Sequence, residues 1–279
     1  MSTPPDLPPG LARPWQALLE RLAGLDSLLV AFSGGVDSTL LLAAARRALG
    51  DRALAALCLG ELTPPWEADR ARRLARRLQV RLIEADAHEL DDPAVAANPP
   101  QRCYHCKRRR LLLLQELAAR ENLAAVAEGS QADDAREHRP GARAVAELGV
   151  LSPLAQAGLG KEAIRRLSRA LGLETAAVPS GACLATRIPT GTPLTRENLQ
   201  RVARAEAALR RLLPGRQLRL RDHFPLARLE LEPETLPSAA AEPLRSRLCR
   251  AVRDAGYRFV TLDLAGYRSG GADPHPPEP

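Results

Sequence analysis

The chain has 279 residues, 45% of them apolar, enough for one large domain or for a domain with a smaller appendage. Five cysteines, odd in number and unevenly spaced, argue against a disulfide scaffold, and 3% aromatic residues argue against a base-stacking platform for single-stranded RNA. The formal charge of +7 rests almost wholly on arginine, since Lys107 and Lys161 are the only lysines. A positive field attracts nucleotides, phosphorylated small molecules or RNA without choosing among them. No run reaches the length of a membrane span, and the opening M-S-T-P-P-D-L-P-P-G has no leader-like apolar region, so a cytoplasmic protein with no membrane partner is expected.

Apolar runs alternate with helical periods in the manner of a parallel sheet covered on both faces. Residues 1–15 are proline-rich and are expected to lack fixed structure. Leu28 to Phe32 reads as the first strand, and Ser38 to Leu49 as a helix with Leu41, Leu42, Ala45 and Leu49 on one face. Strand Ala53 to Leu59, an arginine-rich helix from Trp66 to Leu78 and strand Val80 to Ala85 follow. Helix Lys107 to Arg120 and strand Ala124 to Ala127 lead into E-G-S-Q-A-D-D, Glu128 to Asp134. From Ala135 to Leu151 charges, Pro140 and Gly141 accumulate and the periodicity fades, which predicts a surface loop. A helix from Gly160 to Leu171 closes a domain spanning 16–178, and 179–195 is a loop bearing Cys183. Residues 196–268 read as a small α/β domain: helix Arg196 to Leu213, a hairpin of Gln217–Arg221 and Ala227–Glu232, helix Ala241 to Ala255 and strand Phe259 to Leu264. Residues 269–279 form a second proline-rich tail.

The most informative stretch is A-F-S-G-G-V-D-S-T, Ala31 to Thr39. A strand that empties into glycines and a helix start gathers backbone N–H groups, the Ser33 and Ser38 hydroxyls and a positive helix end around one anion. Gly34 and Gly35 are expected to use positive φ and to let an oxyanion near the backbone. No G-K-[ST] follows, so this is not the lysine-bearing Walker cradle. Parallel sheets bind ligands beyond the carboxyl ends of their strands, which places Gly129 beside Ser33 on a shared nucleotide.

Cys103 and Cys106 form C-Y-H-C just before Lys107, with Asn98, Pro99 and Pro100 upstream, and Cys183 stands in P-S-G-A-C-L-A-T-R-I-P-T-G. A thiol beside an arginine and a loop end is a stronger nucleophile and metal ligand, and Arg187 is the local arginine. On the residues alone, C-Y-H-C also fits a structural zinc half-site or a dithiol redox pair, and Cys58 and Cys249 read as packing residues. Trp66 and His88 stand near strand ends, where packing and site-lining roles are both open.

The string S-G-G-V-D-S resembles the pyrophosphate loop of the ATP pyrophosphatases. Together with R-C-Y-H-C-K, E-G-S-Q-A-D-D, R-P-G-A-R-A, S-P-L, G-A-C-L-A-T-R-I-P-T-G and L-D-L-A-G-Y-R-S-G, it resembles the LarE family of ATP-dependent sulfur transferases across about Phe32 to Gly270. The resemblance implies a PP-loop fold of the adenine nucleotide alpha hydrolase type: a parallel twisted sheet with helices on both faces, plus a small C-terminal α/β domain. It implies ATP and Mg2+ as cofactors, with Ser33, Gly34, Gly35, Asp37, Ser38 and Gly129 at the nucleotide and Asp37 positioning the metal. The substrate implied is a pyridinium biscarboxylic acid mononucleotide on the route to the nickel-pincer nucleotide, and an arginine-lined pocket suits its anionic groups. Arg187, Arg219 and Arg221 are the expected clamps. Sulfur comes, in one style of the family, from the cysteine matching Cys183, which is left as dehydroalanine. In the other, three cysteines, here Cys103, Cys106 and Cys183, hold a [4Fe-4S] cluster whose fourth iron carries an exogenous sulfide, and this second style is favoured here. The sulfide donor is not specified, a homo-oligomer is expected, and nucleic acid is not expected as a partner. A transfer RNA thiolating enzyme and a nucleotide-binding module without turnover are the competing readings.

Overall fold

The computed structural model describes residues 7–136, 140–179 and 181–268. They divide into two compact units: the first comprises the chain up to Gly60 with Trp66–Ala87 and Cys103–Gly181, the second Glu61–Pro65, His88–Arg102 and the chain from Ala182 onward. Two short segments from the first half of the chain therefore pack with its C-terminal part.

In the first unit β1 (Leu28–Ala31), β2 (Ala53–Leu59), β3 (Leu82–Asp86) and β4 (Ala125–Ala127) make a parallel sheet in the order β3-β2-β1-β4. Val30 of the central β1 lies opposite Ala55 on one side and Ala127 on the other. Side chains alternate across the sheet, so Leu28, Val30, Ala53, Ala55 and Leu57 enter one core while Leu29, Leu54 and Ala56 enter another. Helices α1 (Ala12–Ala23), α2 (Val36–Leu49), α3 (Pro65–Arg77), α7 (Pro153–Gln156) and α8 (Lys161–Ala170) supply the first core; α5 (Arg102–Arg120) and α6 (Pro140–Glu147) supply the second. The expected parallel sheet with both faces covered is the fold of this unit.

Three local expectations need correction. Part of the expected N-terminal tail is ordered: Leu11 and Trp15 are buried, and Trp15, Leu18, Leu19 and Leu22 form the apolar stripe of α1. Residues 1–6 and 269–279 lie outside the described residues. The expected loop 135–151 contains α6, because Ala144 and Val145 enter the second core and Pro140 and Gly141 fall in the first turn, where the missing proline N–H has no intrahelical partner to lose. Residues 137–139 lie outside the described residues. Helix α5 begins at Arg102 rather than Lys107, with the Arg102 N–H donated to the Pro99 carbonyl, so Cys103 and Cys106 sit within its first turns.

The second unit contains β5 (Leu218–His223), β6 (Leu226–Leu231) and β7 (Phe259–Leu262). β5 and β6 form the expected antiparallel hairpin, with Leu220 opposite Leu229, and β7 runs parallel to β6. Helix α9 (Arg196–Leu212) starts in a capping box in which the Thr195 hydroxyl accepts from the Asn198 N–H and Asn198 accepts from the Thr195 N–H. Short helices α4 (Pro93–Ala96) and α10 (Leu236–Ala240), and α11 (Leu244–Asp254), complete it. Among the described residues no helix is long and apolar enough to cross a membrane.

The loop after β1 fits against α3 only because residue 34 lacks a side chain. Gly34 has φ +70°, and a Cβ there would lie 2.9 Å from the Ala71 Cα. Gly34→Ala combines an unfavourable left-handed conformation, costing about 1–2 kcal/mol, with a backbone clash. The melting temperature of that variant is expected to fall by several degrees, measured by thermal denaturation.

Candidate active site

In the first unit the residues expected at the nucleotide converge on the start of α2. Gly34 has the positive φ anticipated for it, whereas Gly35, the N-cap, is extended with φ −79° and ψ 167°. No side chain caps α2 at Gly35, so the N–H groups of its first turn remain suited to an anion. The Ser33 and Ser38 hydroxyls lie 3.2 Å apart, and the Ser38 hydroxyl also donates to the Gly35 carbonyl at 3.2 Å. Arg70 of α3 donates from Nε to the Gly34 carbonyl at 3.0 Å and so fixes the turn from outside. Gly129, just beyond β4, packs on the same helix start: a Cβ there would lie 3.1 Å from the Ser38 nitrogen.

Asp37 is held by Lys161, whose Nζ donates to Oδ1 at 2.9 Å and to Oδ2 at 2.7 Å. Lys161 opens α8, and its own N–H donates to the Asp133 carboxylate at 2.8 Å, so a residue of the E-G-S-Q-A-D-D loop caps that helix. Glycine at 160 leaves room for this bond: a Cβ there would lie 2.7 Å from Asp133 Oδ2, and the carboxylate would have to shift. The other lysine is placed in a similar way. Lys107 Nζ donates to Glu128 Oε2 at 2.7 Å, and Glu128 also accepts from the Ser130 N–H and the Ser152 hydroxyl. Burial raises the Glu128 pKa, but the charge and hydrogen bond of Lys107, with those two donors, outweigh it and hold the carboxyl below its usual range. Neither lysine, nor Arg70 or Asp133, was singled out from the motifs. The available signal was compositional: two lysines in a chain whose other strongly basic residues are arginines.

These groups suit a magnesium–nucleotide. Mg2+ takes hard oxygen ligands and is commonly bound by one or two carboxylates together with substrate phosphates. Asp37 supplies such a carboxylate beside a turn built for phosphate, and the Lys161 ammonium neutralises it in this structure. Cys103 is exposed and Cys106 half-buried, three residues apart on α5 and hence on one face. Among the described residues no three His, Cys, Asp or Glu side chains are grouped to hold a metal.

In the second unit Cys183 is half-buried and stands at the N-cap of a 3-10 turn, Leu184–Arg187. Arg187, expected as a substrate clamp, is 1% exposed and holds this turn instead. Its NH1 donates to the Ala182 carbonyl at 2.7 Å and the Cys183 carbonyl at 2.9 Å, while Nε and NH2 meet both oxygens of buried Glu206 at 2.9 Å. Burial opposes the charge of Glu206, yet Arg187 and the Leu220 N–H keep its pKa lowered. Arg221 is likewise engaged: it meets Glu230 at 2.9 and 2.8 Å and donates to the Thr186 carbonyl at 2.7 Å. The two strand arginines were expected to project together as clamps, but the inward face of β5 buries them both. Arg219 donates to the Leu218 carbonyl and lies over the Tyr267 ring at 5.2 Å. Burial, and then the like charge of Arg187, push its pKa down against the pull of Glu206.

Two outcomes test these assignments. Glu206→Ala leaves Arg187 buried without that carboxylate, and a loss of about 3–5 kcal/mol is expected in chemical denaturation. The Lys161–Asp37 pair is about one-third exposed, 34% and 27% for the two side chains, so Lys161→Ala is expected to cost no more than about 1 kcal/mol of stability. Its ATP-dependent turnover is expected to fall by roughly 10²-fold, measured as pyrophosphate release.

Comparison with known proteins agrees with this geometry. Residues 18–128 match the NAD synthase family model. The chain is 39% identical, over 88% of its length and 91% of the relative's, to an uncharacterized protein of Synechocystis. An uncharacterized protein of Methanocaldococcus jannaschii is 30% identical over 87% of this chain and 91% of its own. The pyridinium-3,5-bisthiocarboxylic acid mononucleotide synthase of Lactiplantibacillus plantarum is 35% identical over 93% of this chain and 94% of its own. With the phosphate turn, Asp37 and the Cys183 loop in place, the chain belongs to the LarE family of ATP-dependent sulfur transferases within the PP-loop superfamily.

Proposed function

We propose that this enzyme uses ATP to activate the carboxylates of pyridinium-3,5-biscarboxylic acid mononucleotide and replaces an oxygen of each with sulfur, in the making of the nickel-pincer nucleotide. The reading rests on one conjunction: an intact pyrophosphate turn in a chain that resembles, along nearly its whole length, a synthase named for the bisthiocarboxylic product.

A carboxylate is a poor electrophile because its oxygen is a poor leaving group. Attack of a carboxylate oxygen on the α-phosphorus of ATP gives an acyl adenylate and expels pyrophosphate. The start of α2, with Ser33, Ser38 and the Gly34 turn, receives that anion through N–H and hydroxyl donors already in place. Magnesium, when bound, offsets charge on the phosphate oxygens, and Asp37 is the residue to hold it. Lys161 neutralises Asp37 until then and adds a positive charge beside the departing group.

Two sulfur sources remain, each with an observation in its favour. The paired, accessible thiols of Cys103 and Cys106 favour a three-thiolate [4Fe-4S] site completed by Cys183. The placing of Cys183 at the N-cap of a turn whose carbonyls Arg187 holds fits sulfur drawn from Cys183 itself. In that second route the Cys183 thiolate displaces AMP to form a thioester. Loss of its Cα proton with cleavage of the Cβ–S bond then leaves dehydroalanine and the thiocarboxylate.

Intact mass after anaerobic incubation with ATP, magnesium and the biscarboxylate nucleotide separates them. A single turnover with the chain lighter by hydrogen sulfide at Cys183 establishes the sacrificial route. Repeated turnover at unchanged mass once sulfide is supplied, by protein reconstituted to about four irons per chain and lost in Cys103→Ala, establishes the cluster route. Absence of both pyrophosphate release and sulfur transfer overturns the function.

A further inference from the structure

The residues Asn98-Pro99-Pro100 ahead of the thiol pair have no part in the chemistry above, yet Asn98 is fully buried in the second unit. Its φ is +55°, a left-handed conformation that asparagine tolerates better than most residues. Its side-chain nitrogen and main-chain carbonyl are turned onto one stretch of chain. The side-chain Nδ2 donates to the Pro189 carbonyl and to the Thr192 carbonyl, both at 2.9 Å. The main-chain carbonyl accepts from the Gly191 N–H at 2.9 Å, and two residues earlier the Ala96 carbonyl accepts from the Leu194 N–H at 2.7 Å. The side-chain oxygen accepts from Arg102 NH1, and the same nitrogen lies 3.5 Å from the Ala185 carbonyl. Arg102 is itself buried.

The stretch held in this way, Ala185 to Leu194, begins two residues after Cys183. It contains Pro189 and Pro193, which have no N–H to donate, and the Pro189 carbonyl accepts from the Thr192 N–H at 3.0 Å as well as from Asn98. Arg187 fixes the carbonyls at 182 and 183 from within the loop, and Asn98 with Arg102 fixes its far end.

We propose that Asn98 and Arg102 are positioning residues for sulfur delivery: they form a buried polar clasp that sets the backbone of the Cys183 loop and thereby the direction in which the thiol is presented. This rests on the reading of Cys183 as the sulfur-handling residue. Misplacing a reacting group by about 1 Å costs up to roughly 10²-fold in rate, so a loop of this kind needs an external template.

Asn98→Gly tests the clasp, because glycine accepts the positive φ and keeps the main-chain bond to Gly191 while removing both side-chain donors. Sulfur transfer is expected to fall by at least about tenfold. Amide exchange over 188–194 is expected to rise, and alkylation of Cys183 by iodoacetamide is expected to change relative to Cys249 in the same molecule. Arg102→Ala is expected to act in the same direction, and Arg102→Lys, which keeps a cationic donor, to recover part of the loss. Wild-type transfer and wild-type exchange in Asn98→Gly overturn the proposal. Should that variant fail to fold, the same two measurements on Arg102→Ala decide it, unchanged values again overturning it. Wild-type transfer by Cys183→Ser overturns the reading of Cys183 alone, and the exchange measurement then still reports whether the clasp exists.

Discussion

One guanidinium in a dry interior governs the loop that carries Cys183. Arg187 holds the carbonyls of the peptide bonds entering and leaving that residue, and its charge is tolerable there because Glu206 meets it with both carboxylate oxygens. Glu206 in turn sits on α9 and accepts from the Leu220 N–H of β5, so helix, strand and loop are joined through a single carboxylate. Arg221 adds a second strand-to-loop tie at Thr186, itself neutralised by Glu230. The cysteine loop is thus shaped by charges whose partners come from regular elements, which are more rigid than the loop.

The first unit solves a related problem with less burial. Phosphate needs donors that point inward without side chains in the way, and the β1–α2 turn provides them through close packing rather than through a cationic clamp. Gly34 presses on α3, Gly129 presses on the start of α2, and Gly160 leaves space for Asp133 to cap α8. Each contact removes the freedom to place a Cβ, and together they bring Lys161 onto Asp37. At Gly34 the backbone approaches α3 too closely for a Cβ, whereas at Gly129 and Gly160 a Cβ would oblige the start of α2 or the Asp133 carboxylate to shift.

Much of this was legible along the chain. The parallel strands and their helices follow from apolar periodicity, and the phosphate turn from a local string, because both are written in consecutive residues. The helix α6 was not, since its apolar residues are mostly small alanines and its start holds Pro140 and Gly141; packing of Ala144 and Val145 reveals it. The arginines misled for a different reason. Arg187 and Arg221 read as ligands because a cation in a motif suggests an anion, but their partners, Glu206 and Glu230, stand 19 and 9 residues away in the chain and outside every motif. Lys161 escaped notice for the converse reason: Asp37 lies 124 residues away. Ion pairs formed by folding leave no local mark.

The scarcity of lysine has a chemical corollary. A mixed anhydride of carboxylate and AMP acylates amines readily and guanidinium groups hardly at all near neutral pH. The two side-chain amines of this protein are each held as an ammonium against a carboxylate, Lys161 on Asp37 and Lys107 on Glu128, where the nitrogen lone pair is occupied by a proton. A protein surface furnished with arginine is therefore one on which an activated acyl group, once formed, finds few nucleophiles other than the intended sulfur.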